Sequence, residues 1–131
     1  MPMTDPIADL LTRVRNAQQA KRPTVSAPYS GVKFALAKIM EREGYVEKTE
    51  TAGEGIERQL VLTLKYEEGK GFIRELKRVS KPGRRVYAKA SALPHVYSGL
   101  GIAVISTPNG LMTNKEARAR RLGGEVICEL F

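Results

Sequence analysis

Residues 101–128 read GIAVISTPNGLMTNKEARARRLGGEVIC, and this stretch decides the fold. Ile102 to Ile105 is an apolar run bounded by turn residues, and Gly101 to Ser106 is therefore expected to be a buried strand. Ser106, Thr107, Pro108, Asn109 and Gly110 interrupt it. Thr113 followed by Glu116 is the spacing of a capping box, so a short helix is expected over 113–121. Gly123 and Gly124 then turn the chain into a last strand, 125–131, with Val126, Cys128 and Leu130 expected on one face. Strand, short helix and strand in succession point to a mainly β module that carries one helix.

The first half reads differently. Asp5 can cap a helix whose first position is Pro6, where a missing N–H costs nothing. Ile7, Leu10, Leu11 and Val14 form its apolar stripe, and Arg22-Pro23 ends it. Residues 24–27 read as a short strand closed by Pro28. Ser30 can cap a second helix, 32–43, with the stripe Val32, Ala35, Leu36, Ile39 and Met40 and with Gly44 just past its end. Residues 45–51 and 57–65 are two strands joined by a turn at TAGEGI.

Glu67 to Gly71 reads as a polar, glycine-rich linker. Residues 72–80 mix helical and alternating spacing. A strand is favoured, because Lys81-Pro82-Gly83 signals a turn and 84–88 resumes as a strand. Residues 91–100 read as a loop with a helical turn in it. The expected architecture is α+β in two small modules: 1–66 with the order α-β-α-β-β, a linker at 67–71, and a mainly β module at 72–131.

The charge is +8 and unevenly placed. Residues 67–131 hold twelve basic and six acidic side chains, against ten and eight in residues 1–66. Between Lys70 and Lys89 eight cations oppose Glu75 alone. A neutral solvated surface mixes signs, so a polyanionic partner is the better reading of that window.

A catalytic set is missing. His95 and Cys128 are the only residues of their kinds, which leaves poor metal ligands, and no phosphate-loop or nucleophile-elbow pattern occurs. No cofactor and no metal are expected. MPMTDPIADLL lacks the basic start and long apolar run of a signal peptide, and no stretch reaches the ~20 apolar residues of a membrane span. A cytoplasmic protein with no membrane partner is expected.

Nucleic-acid binding has its components. Lys and Arg anchor phosphates without reading sequence. Ser106 and Thr107 have short hydroxyls at a strand end, suited to the wide, shallow RNA minor groove with its 2′-hydroxyls. Tyr87, among Arg84, Arg85 and Lys89, can stack on a base or sugar. On composition alone an ordinary turn and helix-cap role outweighs this reading for Ser106 and Thr107, and an ordinary strand-aromatic role stands nearly level with stacking for Tyr87.

The opening stretch, TDPIADLLTRVRNA at residues 4–17 and RVSKPGRRVYAKA at 78–90 together resemble the bacterial-type small-subunit ribosomal protein eight family, along the whole chain. The resemblance implies two α+β modules and binding to the central domain of small-subunit ribosomal RNA during assembly, beside neighbouring small-subunit proteins. It also implies repression of the protein's own operon mRNA through a mimic of the ribosomal site. On this chain the family's RNA loop falls on Ser106, Thr107 and Asn109, with Pro108 where many relatives have a third hydroxyl. Tyr87 matches the basic-strand aromatic, flanked by Arg84, Arg85 and Lys89. Gly124 and Glu125 match a turn lying against that loop. Arg118 and Arg121, from their charge and place in the sequence, are expected to hold flanking phosphates. Thr4, with Asp5 and Arg13, matches a second, phosphate-directed surface.

Overall fold

A computed structural model describes residues 5–131. Its described residues form an α+β fold divided into two compact units, Pro6–Ile73 and Arg74–Phe131, with Asp5 belonging to the second.

In the first unit the order is α1 (Pro6–Gln19), β1 (Thr24–Pro28), α2 (Gly31–Arg42), β2 (Val46–Ala52), β3 (Gln59–Leu64), β4 (Tyr66–Glu67) and β5 (Lys70–Gly71). The sheet is antiparallel with β3 central, in the order β1-β3-β2. Alternation along β3 buries Leu60, Leu62 and Leu64. The expected stripe of α1 is buried in full. On α2 the buried face is Lys33, Leu36, Ala37, Ile39 and Met40, whereas Val32 is 39% exposed. The stripe therefore starts one residue later than the apolar pattern implied, because a lysine stem can lie along an apolar face with its charge at the end. Gly44 ends α2 at φ 82, and the Tyr45 amide reaches back to the Met40 carbonyl at 2.8 Å, closing the helix as a Schellman motif. Pro28 continues β1 rather than closing it, since an edge strand tolerates a missing donor. The segment expected as a linker forms the β4–β5 hairpin, with Glu68 and Gly69 both left-handed as a type I′ turn demands.

The second unit contains β6 (Leu76–Arg78), β7 (Tyr87–Ala88), β8 (Ile102–Thr107), β9 (Gly110–Thr113), α3 (Asn114–Ala119) and β10 (Gly124–Leu130). Its sheet runs β6-β10-β8-β9, and β7 joins the same edge of β10 as β6. Leu93, Val96, Ala103, Ile105, Met112, Ala117 and Val126 form one core on a single face, with Ala117 of α3 among them. The capping box on α3 is complete: Thr113 Oγ1 accepts from the Glu116 amide at 3.2 Å, and Glu116 Oε1 accepts from the Thr113 amide at 3.2 Å.

Five sequence expectations need correction in this unit. The strand expected over 72–80 shrinks to Leu76–Arg78, and the one over 84–88 to Tyr87–Ala88, separated by a tight turn in which Lys81 and Arg84 exchange backbone bonds. The loop at 91–100 holds two 3₁₀ turns, Ala90–Ala92 and Tyr97–Gly99. Gly110–Thr113 is a strand that turn and cap signals concealed. Val126 does not share a face with Cys128 and Leu130. A β-bulge lies between Val126 and Cys128, so Val126 sits opposite Ile105 while Cys128 sits opposite Val104. Consecutive residues of β8 point to opposite faces, and their partners follow them. Cys128 is fully buried, and that burial pushes its thiol up to about 12.

Candidate nucleic-acid interface

Register across the sheet assembles the candidate edge. Tyr87 of β7, Glu125 of β10, Ser106 of β8 and Leu111 of β9 stand directly opposite one another. Directly opposed residues share a face. Tyr87 is 70% exposed, so its ring is not a packed strand aromatic. Ser106 is half-buried, and its hydroxyl has no hydrogen-bond partner among the described residues. Beyond this row, Pro108, Asn109 and Gly110 form an exposed tip.

Thr107 behaves differently from Ser106. It is buried; its hydroxyl donates to the Gly110 carbonyl at 2.9 Å and accepts from the Asn109 amide at 3.1 Å. Its one proton is thereby committed to the tip. Thr107→Val keeps the shape and removes both bonds. It is expected to cost about 1–2 kcal/mol and to speed amide exchange at Asn109, read by thermal unfolding and hydrogen exchange.

Two glycines bring the strands together. A Cβ on Gly124 would stand 2.1 Å from the Ser106 carbonyl oxygen, and one on Gly123 would stand 2.6 Å from that of Ala88. Glu125 fastens the other side. Its Oε2 accepts from Ser80 Oγ at 2.5 Å and from Arg85 Nη1 at 2.9 Å. Burial raises the Glu125 pKa, but the Ser80 and Arg85 bonds and the Arg78 charge outweigh it, holding the carboxyl below its usual range. It is an anion at neutral pH and organises the edge through its neighbours.

The cations divide into two groups. Lys81, Arg84, Arg85, Lys89, Arg120 and Arg121 are exposed. Arg121 is left-handed at φ 57, at the position after α3 where glycine usually sits. An L-residue there costs roughly 1–2 kcal/mol, which sets an arginine side chain where none is needed to end the helix. Arg118 is half-buried, with Nη2 at 3.4 Å and 3.5 Å from the Leu93 and Pro94 carbonyls. Arg78, part of the basic window, turns inward to Asp5. Thr4 lies outside the described residues. Arg13, in the first unit, pairs with Asp9 at 2.9 Å and donates to the Ser26 carbonyl at 3.1 Å.

The family model described as ribosomal protein S8 matches residues 5–131. The chain belongs to the ribosomal protein S8 family. It is 53% identical over 128 residues to the small ribosomal subunit protein uS8 of Cupriavidus metallidurans, with 98% of each chain covered. Proteins of the same name from Variovorax paradoxus and Mycoplasmopsis pulmonis are 49% identical to it over 128 and 129 residues, at the same coverage.

In this S8-family chain two buried polar residues that sequence reasoning passed over fasten the second unit, one of them at the edge. Ser80 is fully buried and joins Glu125 to Val86, the residue before β7. Asn114 is 1% exposed; its Oδ1 accepts from the Ala103 amide at 3.2 Å and its Nδ2 donates to the Pro94 carbonyl at 2.8 Å. A polar residue in the first turn of a helix carries no local sign of such a task. The described residues contain no group of three or more His, Cys, Asp or Glu placed to hold a metal, and no helix long and apolar enough to cross a membrane.

Proposed function

We propose that this protein is a structural, non-catalytic component of the small ribosomal subunit that binds small-subunit ribosomal RNA through the edge of its C-terminal sheet. The observation that carries the proposal is the row Tyr87–Glu125–Ser106–Leu111 beside an exposed tip, flanked by exposed Lys81, Arg84, Arg85, Lys89 and Arg121. A free hydroxyl and an exposed ring offer contacts to sugars and bases, while the cations supply phosphate contacts on either side. Thr107, Gly124 and Glu125 act behind this surface by shaping it, and Arg118 by clamping the loop at Leu93–Pro94. Family membership and the ribosomal names of the relatives support a cytoplasmic, ribosome-bound protein with neighbouring small-subunit proteins as partners. The finer reading places the target in the central domain of that RNA and includes repression of the protein's own message.

Crosslinking the purified protein to total cellular RNA and sequencing the fragments tests both levels. Reads concentrated in the central domain and in the protein's own operon message support the finer reading. Reads spread evenly over all RNA, or equal binding to an all-DNA copy of the recovered site, would remove it in favour of general nucleic-acid binding. Arg84→Ala separates anchoring from reading: it is expected to weaken every RNA alike and to lower the salt slope of binding by about one unit. Loss confined to a single RNA sequence would contradict that division.

A further inference from the structure

We infer that Ser80 is the positioning residue of this edge: its buried hydroxyl sets where Arg85 and Tyr87 stand toward RNA. The inference rests on the RNA-binding reading above and extends it to a residue that touches no ligand.

Strand β7 has only two residues, Tyr87 and Ala88, paired to Glu125 and Gly124. Two pairs give weak hold on a segment that carries Lys81, Arg84, Arg85 and Lys89. Backbone bonds add to that hold, and a side-chain tie is made by Ser80, which has no exposed surface. Its Oγ donates to Glu125 Oε2 at 2.5 Å and accepts from the Val86 amide at 3.0 Å. Its own amide donates to the Val126 carbonyl at 3.0 Å, and the Val126 amide donates to the Val86 carbonyl at 2.9 Å. Both ends of the turn are therefore tied to β10 around one hydroxyl.

Only a group that donates and accepts at once can do this, which is the property of a hydroxyl. Glu125 Oε2 also accepts from Arg85 Nη1 at 2.9 Å, so the orientation of Arg85 depends on a carboxylate that Ser80 holds still. A guanidinium has five N–H donors, and those not directed at Glu125 remain for a phosphate. Without Ser80, the Val86 amide loses its partner and Glu125 keeps only Arg85. The backbone bonds of Ser80 and Val86 to Val126 remain, but the turn between them loosens, and with it the placement of Arg85 and Tyr87.

The test compares Ser80→Ala, Ser80→Thr and Ser80→Cys with the unaltered full-length protein on the ribosomal RNA fragment recovered by crosslinking, across a salt series, with thermal unfolding in parallel. Ser80→Ala is expected to bind about tenfold more weakly, with a salt slope lower by about one, at a temperature where it is folded. Ser80→Thr keeps the hydroxyl and is expected to restore both affinity and slope. Should Ser80→Ala fail to fold, Ser80→Cys preserves size with a weak donor and carries the same expectation. A variant lacking the hydroxyl that melts earlier yet binds with unchanged affinity and slope would overturn the inference, leaving Ser80 a stabilising residue only. If the unaltered protein shows no preference for that RNA over its DNA copy, the functional proposal itself fails, which is a separate result.

Discussion

Replacing Arg78 with methionine should lower the stability of the protein by about 3 kcal/mol. Arg78 Nε donates to Asp5 Oδ2 at 3.0 Å and Nη2 to Asp5 Oδ1 at 3.3 Å, a two-pronged pair whose side chains are only 11% and 18% exposed. The third contact is Nη1 to the Ile127 carbonyl at 2.6 Å, at the bulge of β10. At this bulge the Ile127 carbonyl accepts from the guanidinium in addition to a backbone amide. Methionine leaves Asp5 as a largely covered carboxylate with its principal cation gone. Removing one partner of a buried pair costs roughly 3–5 kcal/mol. The low end applies because Asp5 keeps some access to water, and the Ile127 carbonyl retains the Val79 amide at 3.0 Å. Thermal unfolding should show a midpoint lower by roughly 10 °C. Adding Asp5→Asn to the same variant should recover part of the loss, since a largely covered carboxylate charge is then gone. A change below about 0.5 kcal/mol, as for an exposed ion pair, would show that the pair holds nothing.

Gly124→Ala is expected to impair RNA binding as well as stability. The new methyl would meet the Ser106 carbonyl oxygen at 2.1 Å, the Ser106 carbonyl carbon at 2.9 Å and Ile105 Cγ2 at 3.2 Å. The first two are backbone atoms and cannot rotate aside, so β8 and β10 must separate where Ser106 pairs with Glu125. Overpacking of this kind costs about 1–3 kcal/mol. Separation also shifts Ser106 relative to Tyr87, because both take their positions from Glu125. Misplacing two contact groups together should reduce affinity about tenfold or more. Gly123→Ala, obstructed instead by the Ala88 carbonyl at 2.6 Å, should displace the Tyr87 side and leave the Ser106 side in place. Binding measured well below the melting temperature decides the matter: unchanged affinity in Gly124→Ala would detach this edge from RNA recognition.

Both effects depend on pairs far apart in the chain, and this separates what was legible from what was not. The helix start at Pro6, the stripe Ile7–Leu10–Leu11–Val14, the Thr113–Glu116 capping box and the alternation Leu60–Leu62–Leu64 are local patterns. Each depends on periodicity or on bonds reaching three or four residues along the chain, so residue order alone determines them. The excess of cations between Lys70 and Lys89 was equally plain. The site residues came from resemblance to a family, with charge and hydroxyl chemistry only narrowing the class of partner.

By itself, then, the sequence determined an α+β chain with its helix ends, its central β3 pattern, its basic half and its family. Tertiary structure alone decided which cations remain available and which hydroxyls are free. Arg78 looked like its basic neighbours until Asp5 met it from 73 positions away. Thr107 looked like Ser106 until the hairpin closed on Gly110 and engaged its proton. Val126 parted from Cys128 because one extra residue in β10 shifted the register against β8. In each case a hydrogen bond between distant or newly opposed groups redirected a side chain, and such bonds exist only once the strands have met.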